Sequence, residues 1–262
     1  MRWAWAMMSI LVGVSGCARR GHSFALVDVA AEEARFAVVG PSSTSAGPPA
    51  GLEQSLDEDD LQFVIFMGDQ VVRSSRRNWA KWEERFASIL RHPHVLLPGP
   101  GERRNDARLR HFEGFPAFVD IRAGQQTWRL LFLVAQIDHE PTWLEQQFDI
   151  PRFTRGEFDH LLVFVADPPD HRGTANLLHL VHTNTDLVKL CALVTGGPRS
   201  VSFPSGEFGE VELQVGPAGT DDGSWWMVEL RQSLLISEMN GKSPLQLNYE
   251  RLSGWTVDQI HR

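Results

Sequence analysis

Phe63-Val64-Ile65-Phe66-Met67-Gly68-Asp69 and, further along, Val95-Leu96-Leu97-Pro98-Gly99-Pro100-Gly101-Glu102 decide how this chain is read. Each is an apolar run of strand length that stops at a glycine-containing turn. A continuous apolar run predicts a strand covered on both faces, as in a largely parallel sheet. Similar runs recur at 35–39, 128–134, 160–165 and 191–195. Between them, 76–91 carries Trp79, Trp82, Phe86, Ile89 and Leu90 at helical spacing with charges on the other side. Shorter helical patterns lie at 142–148 and 175–187. Alternating strand and helix predicts a layered α/β domain. After Gly196 the pattern turns to short alternating runs at 201–203, 210–215, 225–230 and 234–239. These read as antiparallel strands closing a second sheet. Residues 41–60 and 99–110 read as long loops.

The 262 residues suit one large domain or two small ones, with 42% hydrophobic and 22% charged residues. A net charge of -8, with no dense basic block after the first twenty residues, argues against nucleic acid as the partner.

The first sixteen residues stand apart. Arg2, an apolar stretch at 7–14 and Val14-Ser15-Gly16-Cys17 fall in the order of a secretory signal. The apolar stretch is too short to span a bilayer. Val-Ser-Gly-Cys resembles a bacterial lipobox, which implies lipid on Cys17 and a domain held at a membrane surface. Ala18 after it is similar to an outer-membrane address, facing the periplasm. The expected division is a signal peptide over 1–16, a lipidated Cys and tether (or first edge element) over 17–34, and one domain over 35–262. With Cys17 consumed, Cys191 stands alone in an apolar run, which predicts a buried, inert thiol.

The order of elements resembles the calcineurin-like metallophosphoesterase family, over most of the chain after the tether. The resemblance implies a four-layer α/β/β/α sandwich with a dinuclear metal centre at strand ends. The family pattern is Asp-x-His, Gly-Asp, Gly-Asn-His-Asp/Glu, a His before Pro-Pro, and Gly-His-x-His. Here the first turn is Gly40-Pro41-Ser42-Ser43, with Pro41 and Ser43 in the ligand positions. The second, Gly68-Asp69, matches. In the third, Pro100 and Gly101 replace Asn and His, and Glu102 keeps the acidic end. In the fourth, Asp167 or Ala166 takes the place of the His before Pro168-Pro169. In the fifth, Gly197 and Arg199 replace the two His ligands. A two-metal phosphoesterase holds its ions about 3.5–4 Å apart to activate water and clamp phosphoryl oxygens. Proline and glycine supply no side-chain ligand for that work.

The resemblance therefore implies a phosphoesterase frame without its usual catalysis, working as a binding or scaffolding protein for a protein or envelope ligand. The alternative is an active phosphoesterase with a rebuilt or single-metal site on Asp69, Glu102 and Asp167, taking Mn, Fe or Zn. Other candidates read as ordinary structure. His179, His182 and Asp186 share a helix face, His92 and His94 flank a proline before a strand, and His171 follows Asp167 in a polar turn. Arg103, Arg104, Arg108 and Arg110, with Arg199, could hold an anion, though a charged loop is the plainer reading. Trp225 and Trp226 read as sheet packing.

Overall fold

The computed structural model describes residues 22–23, 27–28, 33–42, 47–58, 61–71, 75–103, 117–134, 158–168, 190–196, 201–203, 211–215, 225–231, 234–239, 246–250 and 256–260. Two sheets make up the fold. The first contains β1 (His22–Ser23), β2 (Val27–Asp28), β6 (Ala117–Ala123), β7 (Gln126–Leu133), β8 (His160–Val165), β9 (Leu190–Gly196), β10 (Val201–Phe203) and β11 (Val211–Val215). Its order is β1-β6-β7-β8-β9-β11-β10, and β2 also pairs with β6. The second contains β3 (Ala34–Val39), β4 (Phe63–Met67), β5 (His94–Leu97), β12 (Trp225–Leu230), β13 (Leu234–Met239), β14 (Gln246–Glu250) and β15 (Thr256–Ile260). Its order is β15-β14-β13-β12-β3-β4-β5.

Strands β3, β4 and β5 run parallel, as do β7, β8, β9 and β11. Period-two alternation then sorts the side chains. Phe36, Val38, Ile65, Met67, Leu130, Phe132, Leu162, Phe164, Val194, Val228 and Ile236 fill the space between the sheets. Ala37, Val39, Val64, Phe66 and Trp225 point the other way. There they meet Leu52 and Leu56 of α1 (Leu52–Asp57), Trp79 and Trp82 of α2 (Arg76–Arg85), and Ile89 of α3 (Ala87–Leu90). All five residues of β4 are buried because both faces are covered.

Three expectations need correcting. The late strands are largely antiparallel as expected, but they do not all close one sheet. β12 to β15 continue the sheet of β3, with Trp226 opposite Val38, while β10 and β11 extend the sheet of β9. A sheet face buried on the shared core can be supplied from either end of the chain, and local pattern does not distinguish the two. The helix over 76–91 breaks at Phe86, whose φ of -99 leaves the helical range. The loops at 41–60 and 99–110 contain α1 and a single turn, α4 (Pro100–Arg103). α1 was hidden because its apolar signal is one i, i+4 pair, Leu52 and Leu56, in polar surroundings. The helical patterns at 142–148 and 175–187 lie outside the described residues, so the layers seen are α/β/β. No helix among the described residues is long and apolar enough to cross a membrane.

Candidate functional site

The parallel strands end at one pole, and backbone contact brings their ends together. Gly68 has φ 71, and a methyl group there would lie 2.7 Å from the Cα of Gly99 and 2.8 Å from the Cβ of Ala166. A methyl on Gly196 would lie 2.0 Å from the carbonyl oxygen of Ala166. These glycines let the ends of β4, β5, β8 and β9 approach at backbone distance. Asp69, half-buried, has φ 49, the sole positive value outside glycine among the described residues. Its carboxylate lies against Gly99, since a methyl on Gly99 would sit 2.5 Å from Asp69 Oδ1.

The third turn is a helix start. Pro100 occupies the first position of α4, where its missing N–H costs nothing, and Glu102 lies three residues after Gly99. Its Oε2 accepts the Gly99 N–H at 2.9 Å, the return half of a capping box. Its Oε1 crosses to the second turn and accepts the N–H of Gln70 at 2.7 Å and of Val71 at 3.3 Å. Glu102 is 2% exposed, and burial pushes its carboxyl up to about 7. The three backbone N–H groups oppose that rise, and the charge of Asp69 adds to it.

A second network joins the first turn to the second. Trp82 of α2 donates its indole N–H to Ser42 Oγ at 2.8 Å. The Ser42 hydroxyl donates to Gln70 Oε1. Gln70 Nε2 donates to the Gly68 carbonyl at 2.8 Å and reaches the Gly40 carbonyl at 3.5 Å. Ser42, Gln70 and Trp82 are all buried.

Pro41, Asp69, Pro100, Glu102 and Asp167 therefore belong to turns at one pole, with Gly101 in the backbone of α4. Asp167 is fully buried. Ser43, Gly197, Arg199, His171 and Cys17 lie outside the described residues. So do His179, His182 and Asp186, and Arg104, Arg108 and Arg110; Arg103 ends α4. His94 opens β5 and His92 precedes it, at the other end of the strand from the turn. His92 lies 3.4 Å from Asp57. Trp225 donates to the Ala50 carbonyl at 3.1 Å, and Trp226 lies in the core between the sheets. Sequence reasoning missed Ser42, Gln70 and Trp82. The spacing of Pro100 and Glu102 was available as a helix-start signal.

The described residues do not fit a dinuclear metal centre. Both Glu102 oxygens accept backbone N–H groups, and the oxygens of Ser42 and Gln70 accept donors from within the network. Among the described residues no group of three His, Cys, Asp or Glu side chains is placed to hold a metal ion.

No known family profile matches the sequence, and no curated protein matches it. Solved structures do match in fold. Vps29 from Chaetomium thermophilum is 12% identical, covering 87% of this chain and 95% of that one, with TM-score 0.39. TT1561 of Thermus thermophilus is 14% identical, covering 79% and 98%, with TM-score 0.48. A third solved protein is 12% identical, covering 79% and 99%, with TM-score 0.52. At such identities the likeness concerns the fold alone. The described residues form a mixed α/β sandwich of two sheets with few helices, its strand-end turns gathered at one pole.

Proposed function

We propose that this protein is a lipid-anchored envelope protein whose phosphoesterase-type sandwich serves as a binding or scaffolding platform rather than a hydrolase. One observation carries the non-catalytic part: the side chains of Ser42, Gln70 and Glu102 are hydrogen-bonded within the strand-end turns and to Trp82. Glu102 spends its two oxygens on three backbone N–H groups, and Gln70 spends its amide on Ser42 and two carbonyls. Activating water for attack on phosphorus needs open ligand positions on a metal. The anchor rests on the order of Arg2, the apolar stretch and Val14-Ser15-Gly16-Cys17. The partner is an envelope ligand or protein met at the membrane surface, and the net charge of -8 disfavours nucleic acid.

The test has two arms. The detergent-purified chain is assayed against a generic phosphodiester with added Mn, Fe or Zn. No turnover above background is expected; hydrolysis that disappears in Asp69→Ala would establish the enzyme reading instead. Cells are also labelled with a clickable fatty acid, which should enter the wild type and not Cys17→Ser. Equal label in both would remove the anchor.

A further inference from the structure

The metal centre implied by the family resemblance and the residues at its place disagree, and the disagreement has a positive side. We infer that a metal-independent hydrogen-bonded clasp, centred on Gln70, joins the ends of β3, β4 and β5 to helix α2. Two chains of bonds meet at Gln70. Its side chain takes the Ser42 hydroxyl and gives to the Gly68 and Gly40 carbonyls, and Ser42 in turn is fixed by the Trp82 indole. Its backbone N–H goes to Glu102, which also holds Val71 and Gly99. The four side chains are between 0% and 2% exposed, so water does not compete for these bonds.

The polarity of the clasp matters as much as its geometry. Its interior is lined with donors: the Trp82 indole N–H, the Gln70 amide N–H groups, and the backbone N–H groups of Gln70, Val71 and Gly99. A divalent cation needs oxygen, nitrogen or sulfur acceptors turned toward it. Here the oxygens of Glu102, Ser42 and Gln70 are turned toward donors, and a cation taking any of them would strand a buried N–H or O–H group. The clasp cross-links the turns that a shared pair of metals would otherwise hold, and it leaves the pole formed before any partner arrives. This goes beyond the non-catalytic reading, since it concerns what holds the turns and not what the surface binds.

The experiment is thermal unfolding of the detergent-purified full chain, with EDTA and with added Mn or Zn, for wild type, Gln70→Ala, Ser42→Ala and Trp82→Phe. The wild-type midpoint should be the same in EDTA and metal. Gln70→Ala should lower it by roughly 5 °C, and Trp82→Phe, which loses the indole donor and part of the buried ring, by roughly as much. Ser42→Ala and Trp82→Phe combined should cost less than the sum of the two, because they break one shared bond. If Gln70→Ala does not fold, the Ser42 and Trp82 pair carries the test. A rise of several degrees with one bound metal ion per chain by native mass spectrometry would overturn the clasp. So would full additivity, or a Gln70→Ala midpoint equal to wild type. Loss of the clasp with no phosphodiester turnover would leave the non-catalytic reading standing, and turnover with an intact clasp would remove only that reading.

Discussion

Raising the pH from 4.5 to 8 should strip a proton from folded Glu102 and weaken the fold as it does so. Burial pushes this carboxyl from 4.5 to about 7. Below pH 4.5 the folded and unfolded chains both hold the proton. Between 4.5 and 7 the folded chain keeps it and the unfolded chain has lost it, so the folded state binds more protons and stability falls as pH rises. Above 7 both are ionised and the loss is complete. At about 1.4 kcal/mol for each pH unit, a rise from 4.5 to about 7 corresponds to roughly 3 kcal/mol.

The assay is urea unfolding of wild type and Glu102→Gln at intervals across that range. Glutamine does not titrate, so the difference between the two curves isolates the group from every other carboxylate and histidine. At pH 5 the variant should be the weaker by ~1–3 kcal/mol. Its NH₂ must face either the Gly99 N–H or those of Gln70 and Val71, leaving a buried donor without an acceptor. By pH 8 the gap should shrink by roughly 3 kcal/mol and close or reverse. Parallel curves would refute the reasoning: the three backbone N–H groups would then outweigh burial, and Glu102 would be an ordinary ionised cap.

Asp69 at φ 49 should accept Asn with a melting temperature near wild type, whereas the β-branched Asp69→Val should cost about 2 kcal/mol or more, read by thermal unfolding. Gly196→Ala should be far more damaging than Gly47→Ala, since the new methyl meets a backbone oxygen at 2.0 Å in one case and nothing within 4 Å in the other; soluble yield and melting temperature decide it. Arg129 is 4% exposed, holds Asp120 through two bonds of 2.7 Å and lies between the Phe118 and Phe158 rings. Asp120→Ala should therefore cost on the order of 3 kcal/mol by urea unfolding, because it removes the carboxylate from a buried guanidinium.

The parallel strands were legible because burial on both faces writes a continuous apolar run, as in β4 and β8. β6 was legible and missed: Ala117, Val119, Ile121 and Ala123 alternate with Phe118, Asp120 and Arg122, and Gly124 with φ 60 starts a two-residue hairpin turn into β7. The division of the late strands between sheets was not legible. It depends on β12 lying beside β3, with Val228 opposite Phe36, and nothing local encodes that pairing. The site divides the same way. The turns could be read from Gly68 and Gly99, but the clasp joins residues 28, 32 and 40 positions apart, and Ser42, Gln70 and Trp82 in it carry no motif.

The glycines and the ligands of such a motif answer to different physics, which is why one set can match the pattern while the other does not. Gly68, Gly99 and Gly196 are required by backbone approach: each replaced hydrogen would meet another strand end, whatever fills the pole. Ligand positions carry no such demand, and Pro41 and Pro100 suit turn and helix-start geometry better than a metal-binding side chain would. Glu102 matches the acidic end of the third motif, yet its oxygens cap two turns. Asp69 matches the second motif, yet it occupies a left-handed position that Asp tolerates better than most residues and packs on Gly99. Each of these two carboxylates thus has a structural reason to stand where it does. A match at Asp69 and Glu102 leaves activity to be decided by the groups their oxygens face.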